Sequence, residues 1–410
     1  MIETDTTSFE HLGISPNFLA ALHTLNFTTP TPIQHKAIPI AIVGKDIIGV
    51  AQTGTGKTLA FGIPMIQRLA SVKGRGLVVL PTRELAIQVD EVLRKIGSSL
   101  GLRTAVLIGG TGQQPQIQAL RRNPHIVIAT PGRLLDHVEH RTVDIGIMKI
   151  LVLDEADRML DMGFAPQIKR IMNALPKERQ IMLFSATMPP EIVKLATQYM
   201  KLPLQVEIAR AGTLAENIEQ ELYMVKKEDK VRLLDTLLTH YRGTILIFSR
   251  TKHGAKKICR SIIAMKHPAA ELHSNRSLSQ RTEAMAGFKS GKYRVLVATD
   301  IAARGIDVSN IELVINFDIP DDPEDYVHRI GRTARAGKTG KAITFVAPDQ
   351  RGKVREIEQL TRSTLALTQT PVLAAARPPA PMQQRNFSPQ QRPRSGQGRP
   401  LHSGNRRRSR

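Results

Sequence analysis

From Asp46 to Ser185 short runs of Val, Ile and Leu recur, each leading through a turn into a helical stretch: Asp46–Val50, Gly76–Leu80, Ala105–Ile108, Ile126–Ala129, Ile150–Leu153 and Ile181–Phe184. No other feature constrains the fold as much. Strands that are apolar throughout, rather than alternating, belong to parallel sheets covered on both faces, with the helices as crossovers. The pattern restarts at Thr244–Phe248 and continues through Arg294–Ala298, Leu313–Phe317 and Ala342–Val346, so a second α/β domain follows the first. A length of 410 residues exceeds one ordinary core, and an apolar content of 41% suffices to fill two.

Residues 208–217, which include Ala211-Gly212-Thr213, carry no apolar periodicity and read as a linker. The expected domains are therefore residues 1–207 and 218–369. After about Thr370 the chain is crowded with Pro, Gln, Gly, Ser and Arg, has no acidic residue, and ends in Arg406-Arg407-Arg408-Ser409-Arg410. Such a segment buries too little apolar surface to offset chain entropy, so residues 370–410 are expected to be a disordered basic tail.

The net charge of +22 attracts polyanions, and nucleic acid is the leading candidate; a protein that is merely basic is the plain alternative. Cys259 is the only cysteine, which excludes an internal disulfide and a thiolate metal cluster and fits a reducing compartment. Met1-Ile2-Glu3-Thr4-Asp5 lacks the basic-then-apolar order of a signal peptide, and no apolar run approaches the ~20 residues that span a bilayer. A cytoplasmic location and no membrane partner are expected.

Ala51-Gln52-Thr53-Gly54-Thr55-Gly56-Lys57-Thr58 sits between an apolar strand and an amphipathic helix, the context a phosphate-binding loop requires. Glycines let the backbone approach closely, N–H groups face the phosphates, Lys57 adds charge and Thr58 can ligate Mg²⁺. Ala51 stands where the strict pattern has its first glycine. Downstream, the strand Ile150–Leu153 ends in Asp154-Glu155-Ala156-Asp157, at the rim where parallel sheets bind ligands. There Asp154 can hold Mg²⁺ and Glu155 can orient and deprotonate a water. Taken singly, the first motif is also a plain strand-to-helix loop and the second an acidic helix cap.

At these residues the sequence resembles the DEAD-box RNA helicases of superfamily 2, from about Phe9 to Ala347 and with the motifs in the family's order. The tail and Ser274-Asn275-Arg276-Ser277 are most similar to the bacterial RhlE-type branch. The resemblance implies two tandem RecA-like domains that use ATP and Mg²⁺. It implies that Asn26-Phe27-Thr28-Thr29-Pro30-Thr31-Pro32-Ile33-Gln34, within a Q motif at about residues 7–35, reads adenine through Gln34 while Phe9 stacks on the ring. Asn26 replaces the usual glycine. It implies that Pro81, Thr82, Arg83, Gly110, Thr130, Gly132 and Arg133 grip the RNA backbone, and that Ser185-Ala186-Thr187 with Asp157 couples hydrolysis to strand separation.

In the second domain the resemblance assigns RNA contacts to Arg250, His273 and Thr299, the ATP ribose to Asp307, coupling to His328, and arginine fingers to Arg332 and Arg335. Leu278 stands in place of the family's glutamine in Leu278-Ser279-Gln280-Arg281, from which weaker coupling of RNA to ATP is expected. One active site is thus split between two domains, so ATP and RNA favour the same closed state and each tightens the other. Partners implied are single-stranded RNA and short duplexes gripped by backbone, with ribosome-assembly or RNA-decay proteins recruited through the tail of a monomer. An aromatic content of 4% with no tryptophan fits backbone contacts better than base stacking. A DNA translocase of the same superfamily and a non-catalytic RNA clamp are the competing readings.

Overall fold

The structure is a computed structural model that describes residues 8–52, 54–208, 218–303, 311–334 and 339–371. Thr53, Asp307, Arg335, most of the linker and most of the tail lie outside the described residues. The first sheet contains β1 (Ile47–Val50), β2 (Arg75–Val79), β3 (Thr104–Leu107), β4 (Ile126–Ala129), β5 (Met148–Leu153), β6 (Gln180–Ser185) and β7 (Leu204–Glu207). The second contains β8 (Ile218–Met224), β9 (Ile245–Phe248), β10 (Ala269–Leu272), β11 (Val295–Ala298), β12 (Leu313–Asn316), β13 (Gly340–Val346) and β14 (Ala366–Thr368). Their orders are β3-β4-β2-β5-β6-β1-β7 and β10-β11-β9-β12-β13-β8-β14, the same permutation twice. Every pairing is parallel. Both lobes are RecA-like α/β sheets within one compact unit.

All ten expected runs form strands, and the reason they are apolar throughout is visible in the core. Val78, Ile128, Val152 and Met182 face one helical layer, whereas their neighbours Leu77, Val127, Leu151 and Leu183 face the other. Successive side chains point to opposite faces, and here both faces are covered. Four strands escaped the sequence reading. β7 and β14 are edge strands with exposed residues such as Leu204 and Leu367. β10 (Ala-Ala-Glu-Leu) lacks a β-branched run, and β8 (Ile-Glu-Gln-Glu-Leu-Tyr-Met) is interrupted by three consecutive polar residues.

Because all strands run the same way, the loops that leave β1, β2, β4, β5 and β6 gather on one rim. The Q-motif turn reaches that rim through helix Pro32–Ile42, which packs against helix Lys57–Leu69. Asn26 adopts φ 61°, closing helix Pro16–Thr24 while the Phe27 N–H donates to the Leu22 carbonyl. The turn therefore demands a left-handed residue, which explains both the family's glycine and why asparagine substitutes for it. Asn26→Gly is expected to leave urea unfolding unchanged or slightly more stable, and Asn26→Ala to lose about 1 kcal/mol; an unchanged alanine variant would mean that the turn relaxes without cost.

Candidate active site and RNA groove

The phosphate loop is held open by its glycines and closed around a fixed amide. Gly54 and Gly56 adopt φ 87° and 91°, and a Cβ at Gly56 would lie 2.3 Å from Gln34 Nε2. Gln34 is 3% exposed; its Nε2 donates to the Gly56 carbonyl at 3.0 Å and its Oε1 accepts the Thr31 N–H at 2.9 Å. One N–H and one lone pair of the carboxamide are left over, the pair that an adenine edge complements. Lys57 Nζ donates to the Ala51 carbonyl at 3.0 Å, and Thr55 Oγ1 to the Gln52 carbonyl at 2.7 Å. Thr58 follows Lys57 in the first turn of helix Lys57–Leu69. Phe9 is 1% exposed and packs within the first lobe's apolar core.

β5 delivers the carboxylates. Asp154 and Glu155 are 3% and 2% exposed, and Glu155 adopts the left-handed φ 52°, ψ 49° that a non-glycine residue reaches only under constraint. Burial pushes the Asp154 carboxyl up to about 6, although the Lys57 charge opposes the shift. Both Glu155 oxygens are buried without a hydrogen-bond partner, and the nearest cation, Arg158 Nη1, stands 3.7 Å away. Asp157 is the opposite case. Its Oδ2 accepts from the Ala186 N–H (2.9 Å), the Thr187 N–H (2.9 Å) and Thr187 Oγ1 (3.1 Å), while its own N–H donates to Ser185 Oγ at 3.2 Å. Burial raises the Asp157 carboxyl, but Lys57, Arg158, His328 and the Thr187 N–H together hold it below its ordinary value. Asp157, Ser185 and Thr187, assigned to coupling from resemblance, thus form one hydrogen-bonded unit between β5 and β6.

Six of the residues assigned to RNA line one groove of about 410 Å³: Pro81, Thr82, Arg83, Thr130, Gly132 and Arg133. Arg83 lies against Gly110, where a Cβ would overlap its guanidinium. Thr82 caps helix Arg83–Gly97, accepting the Leu85 N–H at 3.3 Å, and Arg133 Nη1 donates to the Thr111 carbonyl at 3.3 Å. The second lobe completes the wall with Ser274, Arg276 and Arg281. Ser274 and Arg276 were read in the sequence only as a mark of branch. Arg250 and Thr299 are not among the lining residues, and Arg250 pairs with Asp321 at 3.6 Å. His273 is 2% exposed and lies 3.4 Å from Glu271, which Arg276 pairs at 3.2 Å; both ring nitrogens of His273 are buried without a hydrogen-bond partner.

The lobes meet along two further contacts. Arg281 Nη2 lies 2.5 Å from Glu84 Oε1, with both side chains largely buried, and Leu278 packs against the first lobe's apolar cluster. On the nucleotide side, Arg158 shares a crevice with Phe248, Asp325, His328 and Arg332. Arg332 is 3% exposed, and its Nε donates to the His328 carbonyl at 3.2 Å. Arg329, which sequence reading passed over, is a buried brace: it holds Asp300 at 2.6 and 2.8 Å and the Asp318 carbonyl at 2.6 Å.

Two RecA-like lobes that face each other across a shared nucleotide site are the architecture of a nucleic-acid-dependent ATPase. Family models for a DEAD/DEAH box helicase and a helicase conserved C-terminal domain match residues 31–195 and 229–337. The chain is 43% identical over 374 residues to the DEAD-box ATP-dependent RNA helicase CshA of Geobacillus kaustophilus, covering 90% of this chain and 80% of the relative. It belongs to the DEAD-box family of ATP-dependent RNA helicases. Among solved structures, S. cerevisiae Dbp5 bound to RNA and ADP BeF3 superposes with a TM-score of 0.81, at 29% identity and over 89% of this chain and 96% of that one. A DEAD box protein from Methanococcus jannaschii is 39% identical yet reaches only 0.52, over 88% and 99%. The superposition on the RNA- and nucleotide-bound helicase extends over most of both chains.

Leu278 buries part of its side chain only when the lobes meet, a contact worth about 1 kcal/mol. Leu278→Gln is accordingly expected to weaken RNA binding in the presence of an ATP analogue by roughly fivefold without lowering the melting temperature. Fluorescence anisotropy with a labelled oligonucleotide checks this, and a tighter-binding variant would instead support the expectation that Leu278 weakens coupling.

Proposed function

We propose that the closed seam hydrolyses ATP with Glu155 as the general base and uses closure to bend one RNA strand and unpair a short duplex. The observation that carries this is the Glu155 carboxylate, 2% exposed, without a hydrogen-bond partner and held by a left-handed backbone. A buried carboxylate left unpaired costs stability, and a site that accepts that cost keeps an acceptor for an incoming donor. Glu155 takes the proton of the attacking water as the bond to the γ-phosphorus forms and the bond to the leaving ADP oxygen breaks.

Lys57 leaves the Ala51 carbonyl for the β- and γ-phosphates, and Gln52, Thr53, Gly54, Thr55 and Gly56 cradle them through backbone N–H groups. Mg²⁺, when bound, neutralises phosphate charge; the Thr58 hydroxyl and the Asp154 carboxylate, a hard-oxygen donor pair, fit it and would hold it. Burial, reinforced by the neighbouring Glu155 and Asp157 carboxylates, raises the Asp154 carboxyl, so a cation beside it would offset that shift. Gln34 reads adenine and Asp307 the ribose, while Phe9 supports the pocket from the core. Arg332 and Arg335 stabilise the charge that develops on the γ-phosphoryl group. His328 and the Asp157–Ser185–Thr187 unit transmit hydrolysis to the groove, where Arg83, Arg133 and their neighbours grip RNA by its backbone.

The proposed organisation is a lobe of residues 1–207, a hinge of 208–217, a lobe of 218–369 and a basic tail. The tail adds sequence-independent affinity for RNA and recruits assembly or decay proteins to a monomer in the cytoplasm. No helix among the described residues is long and apolar enough to cross a membrane. Ser274-Asn275-Arg276-Ser277 is similar to the RhlE-type branch, whereas the relatives matched carry the name CshA, so their names lend that branch no support and we propose none.

Glu155→Gln is expected to abolish RNA-stimulated ATP hydrolysis while preserving ATP-dependent RNA binding; retained turnover would show that another group takes the proton. Truncation at about Thr370 is expected to weaken RNA binding and to flatten its dependence on salt concentration. A truncated chain with the parent's salt slope would assign the tail another task.

A further inference from the structure

At the end of the first sheet opposite the phosphate loop, a pocket of about 570 Å³ opens at the amino ends of the strands. It is framed by the turn before β1, the last turn of helix Lys57–Leu69, the starts of β5 and β6, and the turn before β7. Its volume falls within the range of small-molecule sites, and the helicase activity described above makes no use of it.

The charges of the lining do not balance. Lys45, Arg68, Lys149, Arg179 and Lys201 face only Asp46 and Glu178. Both carboxylates are already engaged. Asp46 is 5% exposed and accepts the N–H groups of Ile181 and Lys201, each at 2.7 Å. Glu178 pairs with Lys201 Nζ at 3.0 Å. Lys45, Arg68, Lys149 and Arg179 converge with no ion pair of their own among the described residues, although the Glu178 charge reaches Lys149 and the Asp46 charge reaches Arg179.

Arg68 is built into place rather than left to wander. Gln180 is 4% exposed, and its Nε2 donates to the carbonyls of Ala41 (2.9 Å) and Lys45 (2.8 Å), which forces its Oε1 toward Arg68 Nη1 at 2.6 Å. Gly44 adopts φ 86°, and a Cβ there would lie 2.5 Å from the same Nη1, so the missing side chain makes the room that the guanidinium fills. Arg179 Nη1 donates to the Pro176 carbonyl at 2.5 Å, while its Nε is buried without a hydrogen-bond partner. Burial holds both guanidinium groups below their ordinary value, as happens when cations leave water without full compensation.

A fixed guanidinium with donors to spare, ringed by flexible ammonium groups, matches phosphate better than a single carboxylate. Among the described lining residues none is aromatic, so the pocket offers no face on which a base could stack. The geometry points to a binding site for an oligophosphate group of two or more phosphates, carried by a free small molecule or by the phosphorylated end of an RNA chain. Its occupant would touch the far end of the helix whose first residue is Lys57.

The test uses the full chain saturated with Mg²⁺ and ADP, so that the phosphate loop is filled, and titrates it with tripolyphosphate by calorimetry. Arg68→Gln is expected to weaken the saturable component by about tenfold and Lys45→Gln by about threefold, as loss of charge-assisted contacts requires. Lys45 is exposed, so its variant reports on the site even if the Arg68 variant proves unstable. Lys289→Gln, an exposed lysine of the second lobe, is expected to bind as the parent does. Equal affinities for the parent, Arg68→Gln and Lys45→Gln would overturn the site. Displacement by an RNA oligonucleotide with a 5′-triphosphate, but not with a 5′-hydroxyl, assigns the pocket to an RNA end. Displacement by neither assigns it to a free oligophosphate, and displacement by both equally would overturn the oligophosphate reading in favour of general backbone charge.

Discussion

Parallel pairing of strands is the constraint from which the rest of this molecule follows. A parallel neighbour cannot be reached by a tight turn, so successive strands within each sheet are joined by crossovers, and the carboxyl ends of each sheet arrive at one rim. Lys57, Asp154 and Ser185 are far apart in the chain, yet all sit at or after the carboxyl ends of β1, β5 and β6, which are neighbours in the sheet or one strand removed. The same rule sets the oligophosphate pocket at the opposite rim, where helix Lys57–Leu69 ends and β5 and β6 begin.

Within that rim, neighbouring carboxylates are driven to different states by their surroundings. Asp157 accepts three donors from the turn after β6 and is held below its ordinary value, whereas Asp154 is lifted by burial and the Glu155 carboxylate has no hydrogen-bond donor. Geometry, not residue type, separates the three. The Asp157 bonds also tie the strand that carries Ser185 to the helix that follows Glu155.

The two lobes repeat one strand order, and the seam between them is chemically divided. On the nucleotide side it is crowded with arginines, His328 and carboxylates; on the RNA side the Arg281–Glu84 pair and Leu278 join the lobes. An ion pair withdrawn from solvent contributes orientation more dependably than net stability, so the apolar contact of Leu278 is the better source of closing energy.

Much of the fold was legible because strands buried on both faces must be apolar throughout, and that signature survives without neighbours. Edge strands β7 and β14 were not legible, since an exposed strand is chosen by its pairing partner rather than by its own composition. Among site residues, the phosphate loop, the Asp154–Asp157 tetrad and the groove residues of the first lobe carry local motifs. The burial of Phe9 and His273, the bracing role of Arg329 and the docking of Leu278 carry none, because each depends on what a distant segment places beside it. The sequence by itself determined two parallel α/β lobes, the chemistry on their rims and the basic character of the whole. Only the tertiary structure decided which cations face which carboxylates, because charge and burial are properties of a neighbourhood and a linear chain does not state its neighbours.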